Sequence, residues 1–122
     1  MNIRAAAVEG VHHVSINVDD VAAAKQFYVD LLGLRDLPRP DFDFAGAWLQ
    51  AGDQEVHLLG IQSGKPLKEQ HFAFAVADLQ ALRQTLTGAG IKVSQPSEIA
   101  GVCLQAFAHD PSGNLVEFNQ RL

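Results

Sequence analysis

Three histidines and one glutamate carry the chemistry this sequence can offer. His13 stands in the run Val11-His12-His13-Val14-Ser15-Ile16-Asn17-Val18-Asp19-Asp20. A degenerate copy returns 58 residues later as Glu69-Gln70-His71-Phe72-Ala73-Phe74-Ala75-Val76-Ala77-Asp78, with His71 in the place of His13. The far ends of the copies match too: Gln54-Glu55-Val56-His57-Leu58 aligns with Asn114-Leu115-Val116-Glu117-Phe118 at an offset of 60, which makes His57 and Glu117 counterparts. Three imidazoles and a carboxylate suit a divalent first-row metal such as Zn, Ni, Mn, Co or Fe. A single strand histidine is more often structural than ligating; it is the four repeat-related positions together that point to a metal. Glu117 sharpens the case, because a carboxylate between Val116 and Phe118 is rarely buried unless it is paired or metal-bound.

The elements that must position these groups follow from periodicity. Both copies of the first run alternate at period 2 and end in Asp before a helix-period segment, so each is a half-buried strand leading into a capped helix. On such a strand His13 shares a face with Ser15 and Asn17, and His71 with Ala73 and Ala75, while Val14/Ile16/Val18 and Phe72/Phe74/Val76 form the apolar faces. A helix is expected over 21–32, ended by Gly33, with Ala24, Phe27, Tyr28, Leu31 and Leu32 as its core stripe. A short strand over 34–37, before Pro38, and a hairpin of 45–51 and 55–61 around Gly52-Asp53 complete the first unit. The second unit repeats the order: a strand over 71–76, Asp78 as cap, a helix over 79–87, an edge strand over 91–93 ended by Pro96, and a hairpin of 102–108 and 114–119. The turn of that hairpin is Asp110-Pro111-Ser112-Gly113. Ser15, Asn17, Gln105 and Asn119 are the candidates to hydrogen-bond a ligand. His12 and His109 stand outside the ligand set.

A repeat of roughly 50–60 residues is too long for a solenoid unit and short for an independent domain. We therefore expect one domain over 1–122, built of a module over about 10–61, a linker over 62–70 and a module over about 71–120. The composition narrows the partners. Fourteen acidic against nine basic residues, a net charge of -5 and no Lys/Arg cluster argue against nucleic-acid binding, which needs a basic face. No apolar run approaches the roughly 20 residues of a membrane span. The N-terminal residues lack a secretory h-region, and one cysteine, Cys103, allows no internal disulfide, so a cytoplasmic location is expected. The remaining partner is a small molecule.

On these residues the chain resembles the vicinal oxygen chelate superfamily, which includes glyoxalase I, fosfomycin-resistance thiol transferases, extradiol dioxygenases and bleomycin-binding proteins. The resemblance runs from about Val11 to Asn119 and rests on His13-Val14 with Asp19-Asp20, Phe27-Tyr28 with Leu31-Leu32-Gly33-Leu34, His71-Phe72-Ala73-Phe74, and Asp110 to Glu117. It implies an α+β fold of two βαβββ modules whose curved mixed sheets form a cup, with His13, His71 and Glu117 on three ligand positions. His57 falls on the fourth, where glyoxalase I-like enzymes carry a glutamate or similar ligand. The implied activity is a metal-dependent, lactoylglutathione-lyase-type isomerisation of a small α-oxo compound or its thiol adduct, with a low-molecular-weight thiol as candidate co-substrate and Glu117 as ligand and base. The alternatives are thiol opening of an epoxide, extradiol-type oxygen insertion, and a non-catalytic drug-sequestering protein. Small relatives that pair sheet edges across two chains make a homodimer the expected assembly.

Overall fold

The computed structural model describes residues 7–122. Eight strands and two helices follow one another as β1 (His13–Asn17), α1 (Val21–Lys25) running into a π-helical segment (Gln26–Leu31), β2 (Arg35–Leu37), β3 (Gly46–Ala51), β4 (Gln54–Leu59), β5 (His71–Ala75), α2 (Leu79–Gly88), β6 (Ser97–Ile99), β7 (Cys103–His109) and β8 (Leu115–Arg121). They form two four-stranded sheets of the same design, ordered β1-β4-β3-β2 and β5-β8-β7-β6. In each, the first strand lies parallel to the last and the remaining pairs are antiparallel. This is the two-module βαβββ architecture expected from the repeat.

Local chemistry explains the element starts. Asp20 and Asp78 accept hydrogen bonds from the backbone N–H of Ala23 and Ala81, satisfying helix-start donors that otherwise lack a partner. Gly33 and Gly90, at φ 81° each, supply the left-handed residue that ends the helical segments.

Two expectations need correction. The first helix is not regular to residue 32: after Lys25 its turns widen, and the Leu32 N–H reaches back five residues to the Phe27 carbonyl. The widened turn rotates the apolar stripe, so that Phe27 and Tyr28 are fully buried while Leu31 and Leu32 stay half-exposed. The edge strand of the second unit also lies later than 91–93. There Val93 makes one isolated bridge to Ala108, and the Ser94 hydroxyl takes the Phe107 N–H that a longer ladder would use. Pro96 has no N–H to donate, so pairing resumes at Ser97.

One continuous core joins the modules. The apolar faces of both sheets, with Val56, Leu58, Val116 and Phe118 among the buried residues, pack with Phe27, Tyr28, Leu79 and Leu86 of the helices. A polar latch fixes the docking. Tyr28 donates to Asp110 Oδ2 at 2.7 Å, Asn114 donates to the Asn17 carbonyl at 3.0 Å, and the Asp19 N–H donates to the Ser112 hydroxyl at 2.9 Å. Asp110 is itself buried, and it accepts further bonds from the N–H groups of Ser112 and Asn114 and from the Asn114 amide. Burial and the neighbouring Asp110 carboxylate push the Tyr28 hydroxyl far above its ordinary pKa, so it remains a donor at every physiological pH.

Candidate functional site

The parallel pairing of first and last strands turns repeat-related positions into neighbours. In the second sheet, His71 on β5 and Glu117 on β8 face one another, with Nε2 3.0 Å from Oε1. β8 is an inner strand, and Glu117 is buried on the face opposite Val116 and Phe118. The His71 Nδ1 lies 2.8 Å from the Glu69 carbonyl, which can only accept, so Nδ1 carries a hydrogen. That carbonyl raises the pKa of the imidazole; partial burial opposes the shift and Glu117 adds to it. Asn119, two residues along β8, donates to Glu117 Oε2 at 2.9 Å and to the Cys103 thiol at 3.3 Å.

The first sheet places His13 and His57 together differently. Their rings stack, with centroids 4.0 Å apart and planes 16° from parallel, and Trp48 of β3 continues the stack on the other side of His57 at 4.6 Å and 10°. Trp48 and His57 are direct cross-strand partners. Glu55 shares that face and sits 2.9 Å from His57 Nε2, a contact that lowers the Glu55 pKa, with slight burial opposing it and the charges of His12, His57 and His13 assisting. His12 turns back to His13, with their Nδ1 atoms 2.9 Å apart.

The other expected ligand-binding residues are spread between the sheets. A cleft of about 650 Å³ runs between the β1 and β5 edges and is lined by Ser15, Asn17 and His71 together with Lys65 and Gln70. Asn17 donates to the Ser63 hydroxyl. Gln105 and Asn119 are cross-strand partners on the second sheet. Three participants were missed from sequence: Glu55, Trp48 and the Glu69 backbone. Glu55 had a signal, since it stands two residues before His57 on the same strand face. Trp48 follows only once β3 is set in register with β4. Nothing in the sequence marks Glu69, which has the one positive φ of a non-glycine residue among the described residues, 69°.

Of the two pairs, only His71 and Glu117 stand at a separation that a divalent ion could bridge. Two ligand atoms each about 2.1 Å from an ion and at right angles to it lie about 3.0 Å apart, which is the His71–Glu117 separation. His71 also has the ring orientation ligating histidines adopt, with its other nitrogen donating to a carbonyl. The in-plane lone pairs of two near-parallel stacked rings lie in separate planes, so His13 and His57 must tilt out of the stack to meet on one ion. Among the described residues no three His, Cys, Asp or Glu side chains converge within the chain. No helix among them is long and apolar enough to cross a membrane.

A pair of sheets of this topology, each with its first strand parallel to its last, defines the class of fold. The chain belongs to the Glyoxalase/Bleomycin resistance protein/Dioxygenase superfamily, whose profile matches residues 10–118. No curated protein sequence matches it. A glyoxalase family protein from Bacillus anthracis superposes with a TM-score of 0.85 at 28% identity, covering 95% of this chain and 98% of that one. TnmS3, an antibiotic-binding protein from Streptomyces sp. CB03234, superposes at 0.78 with 26% identity, covering 95% and 98%. The fosfomycin-resistance protein FosX from Listeria monocytogenes, in a mutant form complexed with Mn(II) and 1S,2S-dihydroxypropylphosphonic acid, reaches 0.84 at 11% identity over 95% of each chain, a likeness of fold alone.

Proposed function

We propose that the protein is a divalent-metal-dependent, glyoxalase-like isomerase acting on a small α-oxo compound or its thiol adduct. Its metal is held by His13 and His57 of one chain with His71 and Glu117 of the partner subunit. The observation that carries the reading is the His71–Glu117 pair, an imidazole and a carboxylate at chelating separation, the carboxylate buried on an inner strand between Val116 and Phe118. A second copy supplies the other half because β1 and β5, the strands bearing His13 and His71, each keep one unpaired edge. The bound metal supplies Lewis-acid polarisation of adjacent substrate oxygens. Glu117 takes the proton from the carbon beside the carbonyl and returns it to the neighbouring carbon, while Ser15 and Asn17 hydrogen-bond the substrate oxygens from the cleft wall.

Elemental analysis of untagged protein tests the site, with about one divalent metal per chain expected in the wild type and loss in His71→Ala. Equal metal in both proteins overturns it. Light scattering tests the assembly, and a monomer at micromolar concentration counts against it. Turnover is then measured with methylglyoxal–thiol adducts first and with epoxide plus thiol second.

A non-catalytic binding protein is the second reading. It is favoured by the Trp48–His57–His13 stack, whose flat rings do not converge as ligands, and by the likeness to an antibiotic-binding protein. Metal-free protein that binds a planar drug and turns over neither substrate would decide for it.

A further inference from the structure

The Glu117 carboxylate has two oxygens, and the structure occupies them differently. Oε1 faces His71, whereas Oε2 receives the Asn119 amide at 2.9 Å. The same amide nitrogen reaches the buried Cys103 sulfur at 3.3 Å, so both N–H groups of Asn119 have acceptors. A flipped amide would set its carbonyl oxygen against the carboxylate, so the electrostatics allow one orientation. Cys103 and Asn119 are also close along the ladder: Cys103 pairs with Arg121, and Gln105 with Asn119. A carboxylate held at one oxygen loses the rotation that would otherwise swing the other away from its target.

We infer that Asn119, braced by Cys103, is a positioning residue that aims Glu117 at the ion-binding position beside His71, and does not itself contact substrate. The inference rests on the metal-site reading given above. His71 is fixed in the same manner from the opposite side: its Nδ1–H is held by the Glu69 carbonyl, which leaves Nε2 directed at Glu117. Outer partners of this kind commonly change metal affinity by about 10- to 100-fold when removed.

The test has a metal-free and a metal-bound arm. In the metal-free protein, the Asn119 side-chain amide resonances are expected well displaced from free-amide positions and slow to exchange, and Glu117→Ala should return the hydrogen that faced Oε2 to free-amide behaviour. Amide signals that are already free in the wild type overturn the inference. In the second arm, Mn(II) affinity is measured by calorimetry and Co(II) d–d absorption by spectroscopy for the wild type, Asn119→Ala, Cys103→Ala and Gln105→Ala. The expected result is 10- to 100-fold weaker Mn(II) binding and an altered Co(II) spectrum for Asn119→Ala. Cys103→Ala should show a smaller change in the same direction, and Gln105→Ala none. Unchanged affinity and spectrum in Asn119→Ala overturn the inference; if that variant does not fold, Cys103→Ala decides by the same readings. A wild type that takes up no divalent ion overturns the metal-site reading instead, and the amide resonances still decide whether Asn119 holds Glu117.

Discussion

The two sheets carry equivalent positions into different chemistry. On β5 and β8 an imidazole meets a carboxylate at 3.0 Å, and each is held by an outer partner, the Glu69 carbonyl on one side and Asn119 on the other. On β1 and β4 two imidazoles meet instead, and with no opposite charge between them they stack on each other and on Trp48. Three repeat-related positions differ: His57 stands against Glu117, Trp48 against Phe107, and Glu55, which meets His57 Nε2, against Leu115. A carboxylate offers an acceptor that draws an N–H edge-on, whereas a second ring offers a face. As folded, then, the second module holds a hydrogen-bonded imidazole–carboxylate pair, and the first holds an aromatic stack in which neither histidine faces the other edge-on.

The largest test of that contrast is catalytic. Glu117→Gln keeps an oxygen near His71 but cannot take a proton, so turnover should fall by on the order of 10² to 10⁴. His57→Gln should lose less and be recovered by added metal, since one neutral ligand replaces another. Paired kinetics across a metal titration decide it: an active Glu117→Gln beside a His57→Gln that stays dead at saturating metal would move the base to the first sheet.

Next in size is the latch that holds the two modules in register without belonging to either pair. Tyr28→Phe removes a hydrogen bond to a buried carboxylate and should cost roughly 1–3 kcal/mol in denaturant unfolding, leaving the His71–Glu117 pair in place. The same side chain sets an alkaline limit. In the unfolded chain Tyr28 titrates near its ordinary 10.0, while in the fold its pKa is raised by burial and Asp110. Above pH 10 the unfolded state therefore holds fewer protons than the folded one, and stability falls as pH rises. Tyr28→Phe should lack this component, and because Tyr28 is the sole tyrosine the difference between the two pH profiles isolates it.

The smallest expected effect sharpens the account of the second sheet. Glu69 adopts a left-handed φ of 69°, a conformation costing a non-glycine residue about 1 kcal/mol or more. Glu69→Gly relieves that strain but loosens the unfolded chain by about as much, so thermal melts should show a change within roughly 0.5 kcal/mol. Glu69→Val, β-branched at positive φ, should destabilise further. A Val variant as stable as the wild type would mean the carbonyl is not held in this conformation.

Much of this molecule is legible in its sequence, because the signals are local. The duplication at offsets of 58 and 60, the period-2 faces, and Asp20 and Asp78 as caps specify the order of elements, and the strands expected over 71–76, 102–108 and 114–119 overlap β5, β7 and β8. Which side chains share a strand face is likewise a matter of counting by two, and it placed His13, His57, His71 and Glu117 on the faces opposite the core. The departures arise where distant groups compete. The π-helical turn after Lys25 goes with Tyr28 being buried against Phe74 and Asp110 of the second module, and the Ser94 hydroxyl displaces a ladder bond that alternation alone would assign. The grouping of the four candidates belonged wholly to tertiary structure. Parallel pairing across 46 residues brings His71 to Glu117, and the latch between Tyr28 and Asp110 spans 82. Strand pairing and module docking depend on contacts between segments far apart in the chain, which periodicity does not encode, so sequence identified four equivalent positions and only the fold divided them two by two.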